Sequence, residues 1–305
     1  MSPVPNVFAS SPQRARVLAA IGVTYLTRLL VAAIASYPLI ASIDASGIGQ
    51  FDASDGKLFE PGGLYLLEVL LHERDEWIAL VAPTAVLLVA GSLAGVAPER
   101  LLLRALAGAP GATESSPRAV ECSAGRALPR LVLLALATWV ARALLVFATV
   151  ALASTARSYF ASARDERLPS IAASVAVLVG LCGGVLLSVV RDRAAIEITL
   201  AGATPLDAIE RALGLLRRRG LGLVARFTGW TLAGFAAVLA GAFAASAFDV
   251  STRRGAAMMA AAVLHQLAIV AQIALRTTWL SSAIAATSPP GEPRATERAQ
   301  ADAFL

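Results

Sequence analysis

Residues 131–153 read LVLLALATWVARALLVFATVALA, an unbroken run of mostly Leu, Val and Ala with a single charge, Arg142. A helix needs about 20 largely apolar residues to cross the hydrocarbon core of a bilayer. Lipid cannot satisfy an open backbone, so a spanning segment is either a helix or part of a closed barrel. The run lacks the strict alternation of a barrel strand, which leaves the helix. Five further stretches read the same way. Spans are therefore expected at about 17–43, 77–97, 131–153, 168–190, 221–248 and 255–286. The expected fold class is all-α, a polytopic membrane helix bundle of six transmembrane helices with amphipathic cytoplasmic helices. Residues 14–287 are expected to form the membrane domain. The tails, 1–13 and 288–305, are proline-rich and poor in apolar residues, and read as disordered.

The whole-chain composition agrees. Of 305 residues, 57% are hydrophobic and 15% charged, and mean hydropathy is +0.69. Soluble domains average about 45–50% apolar and about 25% charged. A soluble fold, a disordered chain, a coiled coil and a secreted disulfide scaffold are excluded on this ground. Cys122 and Cys182 stand alone, one in a loop and one in the fourth span, and no disulfide is expected. Lys57 is the only lysine beside twenty-five arginines, a usage typical of GC-rich bacterial genes.

Arginine placement orients the chain. The N-tail, the loops after spans two and four, and the C-tail together hold fifteen basic residues, whereas the opposite loops hold seven. The positive-inside rule puts both termini in the cytoplasm of a bacterial inner membrane. The first outer loop agrees: Asp44, Asp52, Asp55, Glu60, Glu68, Glu73, Asp75 and Glu76 face only Lys57 and Arg74. The first apolar stretch is too long for a signal-peptide core and lacks a clean cleavage site, so it is read as a retained span. The basic pI is assigned to anionic lipid headgroups at the cytoplasmic face, and no nucleic acid is expected.

Two cytoplasmic segments read as amphipathic helices. Pro98-Glu99 opens one carrying Leu101, Leu102, Leu103 and Leu106. In the other, Thr204 is an N-cap, Pro205 occupies the first helical position, Asp207 sits in the first turn and Arg217-Arg218-Arg219 close the end. Such a helix either lies in the headgroup layer or docks beneath the bundle. On the outer side, residues 61–76 also read as helical, with Leu64, Leu67, Leu70 and Leu71 in a stripe.

An internal repeat is visible. Arg16 and Arg28 frame the first span as Arg130 and Arg142 frame the third, each with Thr-aromatic before the second arginine: Thr24-Tyr25 and Thr138-Trp139. Their partner spans carry Gly91/Gly95 and Gly180/Gly184, small-residue pairs that allow close helix approach and are expected to hold the bundle together. Related hairpins of this kind occur in some transporters, but chance similarity is an equal reading in so Ala- and Leu-rich a chain.

Phosphate-loop, zinc-protease, nucleophile-elbow and dinucleotide motifs are all missing. No catalytic, cofactor-binding or metal residues are assigned, and no cofactor is expected. Asp52, Asp55 and Glu60 read as a solvated acidic loop rather than a calcium loop. The informative residues lie inside the spans. Arg28 and Arg142 fall near mid-bilayer, where an arginine costs about 2.5 kcal/mol or more. No Asp or Glu lies within any span, so their expected partners are carbonyls, hydroxyls, water, headgroups or an anionic ligand. They either line a polar pocket or snorkel to an interface. His265, Gln272 and Arg276 share one face of the last span, with Gln266 beside it, and Arg226 reads as an interface anchor. The candidate intramembrane polar site is thus Arg28, Arg142, His265, Gln272 and Arg276. The stripe on the last span either lines a cavity or supplies interhelical hydrogen bonds.

The segment 190–196, VRDRAAI, is followed by an alanine-bearing helix with Ala208, Ala212 and Leu213 and then a basic turn into the fifth span. This third of the chain resembles uncharacterised bacterial six-helix integral membrane proteins related to the glycerophosphodiesterase-associated membrane domain. The resemblance implies the architecture and transfers no site residue. The expected function is a non-enzymatic membrane module, a scaffold or subunit interacting with lipids or a partner protein. The alternative is a small permease or export component with a basic polar cavity.

Overall fold

The computed structural model describes residues 11–45, 74–107, 117–160, 167–246 and 255–286. All regular structure among them is α-helical. The helices are α1 (Ser11–Ala45), α2 (Arg74–Ala94), α3 (Val96–Ala107), α4 (Pro117–Tyr159), α5 (Leu168–Ala201), α6 (Pro205–Ser246) and α7 (Ala256–Ala285). Six stretches are long and apolar enough to cross a membrane: Arg14–Tyr37, Pro83–Ala107, Ala127–Tyr159, Leu168–Ala201, Pro205–Ala245 and Met259–Ala285. The chain is an all-α, multi-pass membrane protein.

Helix boundaries depart from the sequence expectation in one systematic way. Several expected loops are continuations of spans. Thus α4 begins at Pro117 and α5 runs on past Val190 to Ala201, so Cys122, Arg126, Arg191 and Arg193 lie on helices. At about 1.5 Å per residue, the 43 residues of α4 extend roughly 65 Å, about twice the hydrocarbon thickness. Ser11 already starts α1, shortening the expected tail. Residues 1–10, the C-tail and most of the outer-loop helix lie outside the described residues.

Local chemistry explains the turn between α5 and α6. Gly202 takes φ 65°, the left-handed conformation that ends a helix at least cost in glycine. Two residues later, the Thr204 hydroxyl oxygen accepts the Asp207 backbone N–H at 3.3 Å and its O–H donates to the Asp207 carboxylate at 2.7 Å. This is the cap expected from the sequence. Helix α6 then breaks its regular geometry at Arg219, φ −133°, where the amphipathic segment gives way to the apolar one.

The described helices divide into two compact units. The first contains Leu103–Gly229 and Thr278–Leu305, with Met1–Arg14; the second contains Ala15–Leu102 and Trp230–Thr277. Within the first, α4 and α5 form an antiparallel hairpin whose register is fixed at four levels. Arg130 donates to the carbonyls of Gly202 and Ala203. Arg142 donates to the Ser188 hydroxyl at 3.4 Å. A Cβ on Gly183 would sit 3.1 Å from Leu145, and one on Gly180 would collide with Thr149. Each advance along α4 is matched by a retreat along α5.

In the second unit, Gly91 on α2 abuts Val31 on α1, and Gly241 on α6 leaves only 2.5 Å for a Cβ beside Ala268 on α7. Of the glycines singled out in the sequence, Gly91 and Gly180 make close approaches. Gly95 meets only carbonyls of its own chain, and a Cβ on Gly184 would meet nothing within 4 Å. Gly183 and Gly241 supply close approaches that the GxxxG spacing does not mark.

Candidate functional site

The five candidate intramembrane residues have different surroundings. In the second unit, Arg276 pairs with Glu99 at 3.4 Å, and the Arg28 guanidinium lies within electrostatic reach of both. Glu99 sits just beyond the expected end of the second span, in the first turn of α3. For Arg28, the expectation of partners other than a carboxylate is therefore corrected: Glu99 comes from the adjoining helix. Tyr25 donates to the Gln266 side-chain carbonyl at 2.9 Å, joining α1 to α7. Gln272 packs on Gly234, 3.3 Å from the position a Cβ would take. His265 is exposed, and its Nδ1 lies 3.2 Å from the Ala261 carbonyl of its own helix. Arg142 belongs to the first unit, is exposed on α4, and meets Ser188. Thr24 and Thr138, equivalent in the proposed repeat, make the same bond to the carbonyl four residues back.

The most enclosed polar groups lie elsewhere. Along the membrane-crossing part of α5, side chains such as Leu178, Val179 and Leu181 are about 60% exposed, open to lipid. After Val189 the pattern changes: Asp192, Arg193, Ala194, Ala195, Ile196 and Ile198 are all buried. A helix enclosed nearly all round has become an interior element. Ala194 and Ala195 are small enough to admit neighbouring backbone closely.

Two charges are buried with them. Asp192, 2% exposed, accepts the Trp279 indole N–H at 3.0 Å and Arg191 at 3.0 Å. Trp279 in turn meets Phe227 edge to face, ring centres 5.3 Å apart, the arrangement that aromatic quadrupoles favour. One carboxylate thus ties α5 to the end of α7, and the indole it holds ties α7 to α6. Arg193 is equally buried. One of its terminal nitrogens donates to the Ala283 carbonyl of α7, while Nε and the other terminal nitrogen have no hydrogen-bond partner.

Arg193 also lines a half-open cleft of about 150 Å³, together with Glu197, Arg211, Ala212, Leu215 and Ala286. The Arg211 guanidinium is 3.5 Å from the Glu197 carboxylate, which also lies within electrostatic reach of Arg193. The cleft walls carry two guanidinium groups against one carboxylate.

In the sequence, Asp192 stands out only for a resemblance and Arg193 for that and for its positive charge, while Trp279 carries no mark. The available signal was an Asp-Arg pair followed by two alanines immediately after an apolar span, and a tryptophan about two turns from a span's end. Among the described residues, no three His, Cys, Asp or Glu side chains gather as a metal site would require. Set against known proteins, the chain matches no family model, no curated protein and no solved structure.

Proposed function

We propose that this protein is a non-enzymatic module of a bacterial inner membrane, a scaffold or subunit that engages lipid headgroups or a partner protein through its arginine-rich, cytoplasmic end. The observation carrying this reading is the packing of that end. Helices α4, α5 and α6 outrun the bilayer there, and the deepest burial in the first unit, around Asp192, Arg193 and Trp279, falls on the overrun. A chain that needed only to cross the membrane would have no use for a packed interior at that place. The exposed Arg217, Arg218 and Arg219 at the break in α6 supply surface charge, worth about 1 kcal/mol each beside anionic lipid. A relation to the glycerophosphodiesterase-associated membrane domain belongs to this proposal, since the segment that carries the resemblance is the one so deeply enclosed.

A permease is the second reading. It draws on the grouping of Arg28, Arg276 and Glu99 and on the Tyr25–Gln266 bond, both in the second unit, polar groups of the kind that line ion and substrate paths. Native mass spectrometry of protein extracted gently from its own membrane separates the two. The scaffold reading expects retained phospholipid or a protein partner, reduced when Arg217, Arg218 and Arg219 are replaced together by Gln. A small anion lost on Arg28→Leu or Arg142→Leu transfers support to the permease. A bare chain indifferent to all these changes overturns both.

A further inference from the structure

We propose that the cleft between the end of α5, the first turns of α6 and the end of α7 binds a phosphate-class oxyanion, free or as a headgroup ester, gripped by Arg193 and Arg211. The proposal names the chemistry that the arginine-rich end recognises, and in that respect deepens the scaffold reading. Its footing is separate: the geometry of one cleft.

A guanidinium carries five N–H donors and cannot shed its charge. Arg193 is buried to 98% or so, 2% of its surface remaining exposed, yet one bond to the Ala283 carbonyl is the hydrogen bond it makes and two of its nitrogens go without. Leaving buried donors unmet is costly, and more so when they are charged. Structural need alone would be better served by an apolar side chain of similar length, which carries no such penalty. A tetrahedral oxyanion offers several acceptors to the planar fork of an arginine, often two at once.

The remaining walls suit the same ligand. Arg211 is 60% exposed, long enough to swing onto a bound anion, and its present partner Glu197 holds it at a loose 3.5 Å. Ala212, Leu215 and Ala286 offer no hydrogen-bonding side chain to compete. At about 150 Å³ the cleft is well below the roughly 300–1,000 Å³ of drug-sized pockets. It fits a headgroup phosphate or a free phosphate and leaves the rest of a larger molecule outside. Glu197 opposes an anion and so acts as a brake on affinity.

Full-length protein in zwitterionic phosphatidylcholine nanodiscs can be titrated with inorganic phosphate at constant ionic strength, with chloride as the control anion. In parallel, nanodiscs containing phosphatidic acid report headgroup binding by native mass spectrometry. Wild type is expected to bind in at least one arm. Phosphate without lipid identifies a free ligand, lipid without phosphate identifies a headgroup, and both outcomes support the site. Arg211→Gln should weaken binding about tenfold, the loss of one charge-assisted hydrogen bond. Glu197→Gln should strengthen it severalfold. Arg193→Gln should abolish it; if that variant does not fold, the opposite responses of the other two decide. Binding unaltered by Arg211→Gln and Glu197→Gln, or absent in both arms, overturns the proposal. Failure of the scaffold reading looks different: no partner or lipid retained from native membrane, with phosphate binding in nanodiscs intact.

Discussion

The two compact units handle arginine in opposite ways. In the first, Arg193 is taken inside the protein and answered by one backbone carbonyl, while its neighbour Asp192 is satisfied by Arg191 and the Trp279 indole. In the second, Arg276 stays partly exposed and Arg28 exposed, with Glu99 brought in from the start of the next helix to serve them. The first arrangement gains definition at the cost of desolvation. The second shares one carboxylate between two guanidinium groups. Burial of a charge in the first unit therefore marks a position where helix ends must be fixed, whereas the second unit joins its helices through a shared counter-charge.

The largest effect should come from the buried network. Trp279→Ala removes a side chain that is 2% exposed, ends its ring contact with Phe227 and strips Asp192 of a donor. A loss of about 3–5 kcal/mol is expected from truncation of a buried aromatic, read as reduced resistance to denaturation in mixed micelles. Trp279→Phe keeps an aromatic ring but loses the N–H, so about 1–3 kcal/mol should go. If the two variants lose equally, the hydrogen bond to Asp192 rather than the packing holds α7. If neither loses more than a few tenths, the contrast between the units collapses.

The hairpin of α4 and α5 gives an intermediate effect. Gly180→Leu forces a branched side chain into Thr149, whereas Gly184→Leu places it in open space. Overpacking of this kind costs about 1–3 kcal/mol, while Leu for Gly in an uncrowded helix position is favourable by up to about 1 kcal/mol. The two glycines belong to one GxxxG pair, so opposite signs in the same unfolding assay would show that spacing alone does not decide which glycine is needed.

The fold class and the number of crossings were legible because hydropathy over about 20 residues is a one-dimensional property. So was the Thr204 cap, which depends on four consecutive residues. Helix continuation through 117–130 and 191–201 was not. Arginine and glutamate are good helix formers, but their polarity reads as loop when every turn is judged by its fitness for lipid. The network at Asp192, Arg193 and Trp279 was illegible for another reason. Its members are some ninety residues apart, and only the assembled helices bring 192 to 279. The Glu99–Arg276 pair was hidden in the same way, with the added difficulty that a carboxylate just outside a span was counted as outside its reach.

That pair carries the smallest expected effect and the sharpest test of what exposure means here. Its side chains are 37% and 15% exposed at 3.4 Å, so a double-mutant cycle of Glu99→Gln and Arg276→Gln should return a coupling of only about 0.5–1 kcal/mol. The Arg28 charge complicates the cycle in a usable way. Removing Glu99 takes away the carboxylate that Arg28 and Arg276 share, so Glu99→Gln should cost more than Arg276→Gln, which relieves the repulsion as it breaks the pair. Equal costs would mean that Arg28 reaches past both residues to lipid or water. In that case the second unit would contain an isolated surface ion pair and a snorkelling arginine, and the polar grouping on which a transport path depends would lose its centre.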